Sequence, residues 1–84
     1  MNWKRLIDEE RAERGDDSET VKVAPNESVL SVEFSDGYGS AEGPPFTLWT
    51  RKRAYFPVVY DGAEWVGSVP RDPCDEATAH VGGQ

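Results

Sequence analysis

The chain has 84 residues, a net charge of −7 and a pI near 4.5. This acidity disfavours direct binding to nucleic acids and to anionic membranes, and no apolar run is long enough to span a bilayer. The length allows one domain over residues 1–84, and three residues each of Trp, Tyr and Phe favour a folded one.

Residues 2–14 are predicted to form a helix. Asn2 can serve as its N-cap, Gly15 is a natural stop, and oppositely charged side chains recur four residues apart. The apolar residues occupy only the first two turns: Trp3, Leu6 and Ile7. The helix should therefore dock by its N-terminal end. Because the segment lacks the apolar stretch of a signal peptide, we expect a cytoplasmic protein.

From residue 20 the apolar period changes to two, which predicts an antiparallel sheet over residues 20–69. About five strands are expected, over residues 20–24, 28–35, 46–50, 54–60 and 63–69. The predicted fold class is therefore α+β, with an N-terminal helix packed on a small antiparallel β-meander.

Two hairpins set the expected register. Asp61-Gly62 is typical of a two-residue hairpin turn, which would pair Tyr60 with Ala63. A three-residue turn over 51–53 would pair Leu48 with Phe56. Together these registers place six residues on one core face: Phe46, Leu48, Phe56, Val58, Tyr60 and Trp65. Pro57 on the other face suggests a bulge or an interrupted pairing at mid-strand.

Residues 71–84 are expected to form a short helix or a flexible tail, since Asp72-Pro73 is typical of a helix start but few apolar residues follow. The single cysteine, Cys74, and the single histidine, His80, both lie there. One cysteine excludes an internal disulfide, and two groups fall short of a zinc site or a catalytic triad. We therefore expect no cofactor, no metal and no enzymatic activity.

Residues 36–45 are predicted to form a glycine-rich loop. The double proline at its end argues against the following helix that a phosphate cradle needs. Asp36 and Tyr38 are then candidate contacts of a mobile loop.

The acidic surface is the first candidate binding site, formed by Asp8, Glu9, Glu10, Glu13, Asp16 and Asp17. Exposed carboxylates attract basic partners and speed their encounter. The predicted function is a non-enzymatic protein-binding module that occupies a basic surface of a larger protein. An inhibitor or adaptor of prokaryotic or phage type is expected, anti-CRISPR-like or nucleic-acid-mimicking. The alternative is that excess acid only keeps a small aromatic-rich domain soluble.

The basic hairpin tip is the second candidate, formed by Arg51, Lys52 and Arg53 with flanking Trp49 and Tyr55. Such a tip could recognise an acidic peptide or a second copy in a homodimer. It could instead only guard the hairpin against edge pairing, with the two aromatic residues covered by the helix. The Trp, Gly and Pro spacing of residues 60–70 resembles that of SH3-like barrels. The order of the other elements does not, so no binding residues are carried over.

Overall fold

A computed structural model describes residues 1–34, 43–60 and 63–81, the side chain of Tyr60 excepted. The elements are a helix α1 (Trp3–Arg14), a strand β1 (Thr20–Ala24), a 3-10 helix (Glu27–Ser31) and the strands β2 (Thr47–Thr50), β3 (Arg53–Tyr60) and β4 (Ala63–Pro70). The strands form one antiparallel sheet in the order β1-β2-β3-β4. The predicted α+β class is confirmed, with four strands rather than five.

Helix α1 begins and ends where its capping residues predict. The Asn2 side chain accepts a hydrogen bond from the Arg5 backbone N–H at 3.0 Å. Gly15 adopts the left-handed conformation (φ 68°), which closes the last turn at little steric cost. The three buried residues of the helix are the predicted ones: Trp3, Leu6 and Ile7.

The predicted strand over residues 28–35 is wrong. Asn26 instead caps the 3-10 helix by accepting a hydrogen bond from the Ser28 backbone N–H at 3.0 Å. Val29 and Leu30, adjacent in sequence, both pack against the core, whereas Val32 is 46% exposed. These contacts do not alternate as they would in a strand. The residues form a capped turn instead, because the hydrogen bond that the Asn26 side chain accepts competes locally with strand pairing.

The hairpin of β3 and β4 has the predicted register, from Tyr60 paired with Ala63 down to Arg53 paired with Pro70. Pro57 does not interrupt it. In an antiparallel strand, the N–H groups of alternate residues point toward opposite neighbouring strands. Pro57 can therefore pair with Val66 if its nitrogen points toward β2, because no hydrogen bond to β4 is then lost. The pairing of β2 with β3 ends before that position, at Leu48 and Tyr55.

The register of β2 with β3 differs from the prediction by one residue. Leu48 pairs with Tyr55, not with Phe56, and the turn contains two residues rather than three. The Thr50 hydroxyl stabilises this tighter turn by accepting hydrogen bonds from the backbone N–H groups of Lys52 and Arg53 at 3.2 and 3.0 Å. A one-residue shift moves side chains to the opposite face of a sheet.

The core lies between α1 and the sheet, and it differs from the predicted core face. Its buried residues are Trp3, Leu6, Ile7, Val23, Phe46, Leu48, Tyr55 and Val66. Since strand neighbours alternate between faces, Phe56, Val58 and Trp65 lie on the far face instead, where Val58 is nevertheless buried, at 7% exposure. There Phe56 and Val58 pack against Gly67. A Cβ added to Gly67 would lie only 3.0 Å from Phe56 Cε1 and 3.1 Å from Val58 Cγ2.

Residues 71–81 contain no helix and are exposed. The predicted helix start at Asp72-Pro73 does not continue, because too few apolar residues follow to support a packed helix. The segment is held at its start by the Arg71 backbone N–H, which donates to the Lys52 carbonyl at 2.9 Å. No helix in the described ranges combines the length and apolarity needed to cross a bilayer.

Candidate functional site

A groove of about 380 Å³ separates α1 from β4, the last strand of the sheet. It is lined by Leu6, Glu9, Glu10, Glu13, Arg14, Trp65 and Val66, and these residues define the α1–β4 groove. Three carboxylates and one guanidinium thus border three apolar residues. The groove combines negative charge with apolar surface.

Helix geometry brings the carboxylates together. Residues three and four positions apart share one side of a helix, so Glu9 and Glu13 follow Leu6 along the side that faces β4. Glu9 forms an exposed ion pair with Arg5 at 3.4 Å, and exposed pairs of this kind contribute little stability. Glu13 forms no ion pair with any described residue. Both carboxylates are open to a partner.

Glu10 has a structural role within the same groove. Its Oε2 accepts hydrogen bonds from Arg14 Nε and from the Ser68 hydroxyl, both at 2.9 Å. The Ser68 hydroxyl in turn accepts one from Arg53 Nε at 2.9 Å. Glu10 therefore ties the helix to β4 and is less available to a partner than Glu9 and Glu13.

The other three predicted acidic residues lie outside the groove. Asp8 is on the outer side of α1, beside Lys4 and Ala12. Asp17 is exposed after the end of the helix. Asp16 is only 6% exposed, so it is not part of any binding surface. The predicted acidic surface is thus divided into a groove, an outer face and a buried residue.

Asp16 accepts four hydrogen bonds where it is buried between α1 and the sheet. Its Oδ2 accepts from the Tyr55 hydroxyl at 2.6 Å and from the Thr50 hydroxyl at 2.8 Å. Its Oδ1 accepts from the hydroxyl and the backbone N–H of Ser18 at 2.5 and 3.0 Å. Burial alone would raise the pKa of this carboxyl, but the donors outweigh it and hold the pKa of Asp16 well below its usual value. Burial, followed by the hydrogen bond to Asp16, raises the pKa of Tyr55 above its usual value.

The basic tip does not form the predicted surface. Arg53 and Tyr55 are 7% and 0% exposed, because the one-residue register shift turns both toward α1. Arg51 and Lys52 are exposed, and Arg51 forms an ion pair with Glu19. Trp49 is half-buried on the far face of the sheet, since its neighbours Leu48 and Thr50 face the core. Only part of the predicted cluster remains at the surface.

Arg53 instead holds the C-terminal segment. Its Nη1 and Nη2 donate to the two carboxylate oxygens of Glu76, each at 2.9 Å, in the forked geometry that favours Arg–carboxylate pairs. The hydrogen bonds to Glu76 raise the pKa of Arg53, and those from Arg53 lower the pKa of Glu76. This pair anchors a segment that is otherwise exposed.

The remaining candidates that the structure describes, Cys74 and His80, have no catalytic or metal-binding partners assembled around them. Asp36 and Tyr38 lie outside the described residues. Cys74 and His80 are both exposed in the C-terminal segment. Within the described ranges, no three His, Cys, Asp or Glu side chains are close enough to hold a metal ion.

The contribution of β4 to the groove is missing from the sequence prediction. Trp65 was expected in the core, and Val66 was not assigned a role. The signal that could have indicated them is the position of β4 as the last strand of a meander, since a terminal strand has a free edge. Comparison with protein-family models, curated proteins and solved structures gives no match.

Proposed function

We propose that the protein is a non-enzymatic binding module whose α1–β4 groove takes up a basic segment of a larger protein. The observation that carries this proposal is the pairing of open carboxylates at Glu9 and Glu13 with apolar Leu6 and Val66 in one groove. Charge of opposite sign steers a partner to such a groove, and apolar contact then slows its release.

The net charge of −7 also favours a basic partner. Long-range repulsion of other acidic proteins and attraction of basic ones both follow from it. A module that occupies a basic surface would block that surface, as an inhibitor or adaptor does. Phage or prokaryotic type, anti-CRISPR-like action and nucleic-acid mimicry stay predictions on which the fold has no bearing.

The basic tip is a weaker basis for binding. Of its five predicted residues, Arg53 and Tyr55 are buried and Arg51 is paired with Glu19. What is left, Lys52 and the half-buried Trp49, offers one charge that is unpaired among the described residues. Recognition of an acidic peptide through this tip therefore lacks the cluster on which it depended.

The test uses two double variants with the same change in net charge. Glu9→Lys with Glu13→Lys reverses the charge of two side chains in the groove. Asp8→Lys with Asp17→Lys reverses the charge of two exposed side chains outside it. The probe is a fluorescently labelled heptalysine peptide, and affinity is measured by anisotropy at low salt. We expect at least a tenfold loss for the groove variant and a smaller loss, about threefold or less, for the control. Circular dichroism checks that both variants are folded.

Equal losses in the two variants would show that total charge, not the groove, attracts the peptide, and would contradict the proposal. Raising the salt concentration to 0.5 M, where the Debye length is about 4 Å, should abolish most of the heptalysine binding. A natural partner captured from a lysate supports the proposal only if it is retained by the control variant and lost by the groove variant.

A further inference from the structure

The outer edge of β4 borders the α1–β4 groove. Strand β4 is the terminal strand of the sheet, and no described segment pairs with its outer side. An unpaired strand edge presents backbone donors and acceptors to any extended chain that reaches it. The edge and the groove are therefore one continuous surface.

The outward-pointing groups can be identified from the ladder of β3 with β4. The Arg71 N–H donates to the Lys52 carbonyl, so this pair is hydrogen-bonded, and along the strands such pairs alternate with pairs in which neither residue bonds its partner. The pair of Pro57 with Val66 is of the second kind, which suits a proline that has no N–H. The N–H and C=O of Val66 then point away from β3, to the open edge. Among the described residues, none donates to or accepts from these two groups.

The edge closes toward the end of β4. The backbone N–H and C=O of Ser68 point outward like those of Val66, and the Ser68 carbonyl accepts a hydrogen bond from Arg53 Nη2 at 3.3 Å. The guanidinium of Arg53 also binds Glu76, so the C-terminal segment lies beside that position. The open stretch is short and centred on Val66.

We propose that the groove binds its partner by strand addition, as a fifth strand centred on Val66. This inference rests on the proposed function, because it names how the basic segment is held. Side chains of an added strand would alternate between the two faces of the sheet. On the helix side they meet Glu9 and Glu13, and on the far side they meet half-buried Trp65.

The chemistry of the occupant follows from this alternation. Positions facing α1 require Lys or Arg, since they oppose carboxylates. Positions facing Trp65 favour apolar side chains, because the neighbouring far face is formed by apolar residues such as Val58. The expected partner is an extended segment in which basic and apolar residues alternate over about five to seven positions.

The test compares synthetic peptides of one composition. The first alternates four lysines with three valines, the second has the same residues in two blocks, and two others carry backbone N-methyl groups on the odd or the even positions of the alternating sequence. Strand addition predicts that the alternating peptide binds at least tenfold more tightly than the block peptide. N-methylation should abolish binding in one alternate set and change it little in the other, since only one set faces β4.

Protein variants supply a matched control. Trp65→Ala, at the open edge, should weaken the alternating peptide several-fold, whereas Trp49→Ala, on the same face but on an inner strand, should not. In nuclear magnetic resonance spectra, the Val66 amide should shift and become protected from exchange when the alternating peptide binds.

The outcomes separate the two proposals. Equal affinity for the alternating, block and N-methylated peptides would overturn strand addition while leaving the acidic groove as a binding site. Failure of every lysine peptide to bind at low salt would overturn both.

Discussion

The two ends of the layer between α1 and the sheet are built in different ways. At the N-terminal end of the helix, Trp3 is fully buried, with ring centroids 4.7 and 5.0 Å from those of Phe34 and Phe46. At the C-terminal end, the buried groups are polar: Asp16, Thr50, Arg53 and Ser68, with the hydroxyl of Tyr55. The C-terminal end depends on hydrogen bonds, whereas the N-terminal end depends mainly on shape and apolar area. The N-terminal end also contains one buried carboxylate, Glu64, which accepts a hydrogen bond from the Gly43 backbone N–H at 3.1 Å.

The difference predicts different sensitivities. An apolar cluster loses stability in proportion to the volume removed, because a cavity remains. A buried polar cluster is sensitive to single atoms, because each donor or acceptor left without a partner costs about 1–3 kcal/mol. In the described part of the chain, every buried side-chain nitrogen and oxygen has a partner. Removal of a donor or acceptor at the polar end would therefore take a hydrogen-bond partner away from a buried group that has one now.

The largest effect is expected at the apolar end, from Trp3→Ala. Removing a buried Trp side chain costs about 3–5 kcal/mol, which is comparable to the whole stability of a small domain. The indole N–H also loses its hydrogen bond to the Pro44 carbonyl, now 2.7 Å long. The variant should be largely unfolded at 25 °C, as measured by circular dichroism and urea titration.

Gly43→Ala tests the same end without removing any group. The added methyl would overlap the Trp3 indole and lie 2.9 Å from Phe34 Cζ, so packing must shift. We expect a loss of about 1–3 kcal/mol in the free energy of unfolding. A loss below about 0.5 kcal/mol in Gly43→Ala, or a stable Trp3→Ala, would show that this end is not closely packed.

The next effect is expected at the polar end, from Asp16→Asn. The Asn side chain has the shape of the carboxylate but carries no charge. Its NH2 group would face at least one hydroxyl that donates a hydrogen bond to the Asp16 carboxylate in the original protein. The free energy of unfolding should fall by about 2–3 kcal/mol. The matched control is Asp17→Asn, which alters an exposed neighbour and should change stability by less than about 0.5 kcal/mol.

The same variant should change the response to acid. Because the pKa of Asp16 is lower in the folded protein than in the unfolded chain, its contribution is complete above about pH 4 and is lost as the pH falls further. Urea titrations between pH 7 and pH 2 should show a smaller acid loss in Asp16→Asn than in the original protein. Parallel curves for the two proteins would contradict the assigned role of the carboxylate.

The smallest effect is expected from Glu76→Gln, at the outer margin of the polar end. Loss of the charge weakens the contact with Arg53, but the amide oxygen can still accept one hydrogen bond, and Ser68 still binds the guanidinium. Residues 71–81 should exchange their amide hydrogens faster, with little change in the strands. Asp75→Asn serves as the control. Unchanged exchange in the segment would show that the ion pair does not anchor it.

Some of the proposed binding surface was predictable, and some was not. Helical spacing alone places Glu9 and Glu13 on one side of α1, because the period of 3.6 residues is local. That β4 forms the other wall of the groove depends on how the helix crosses the sheet. The prediction therefore identified the carboxylates but grouped them with Asp16, whose burial only long-range contacts reveal.

Local chemistry in the sequence determined the helix and one hairpin. Asn2 and Gly15 cap α1, and the Asp61-Gly62 signal predicts the observed pairing of Tyr60 with Ala63, although residues 61–62 themselves lie outside the described ranges. Both signals act between near neighbours, so no other part of the chain had to be known. Residues 51–53 lack such a turn signal, and the apolar pattern alone favoured a register one residue away from the actual one.

Only the tertiary structure decided that Arg53 and Tyr55 of β3 are buried against the helix. Asp16 meets Tyr55 across 39 positions of sequence, and Glu10 meets Ser68 across 58. These hydrogen bonds are satisfied only if Tyr55 and Ser68 face the helix. A polar group can be buried only where its partner already lies. The burial of Arg53, and with it the loss of the basic tip, follows from the same long-range pairing.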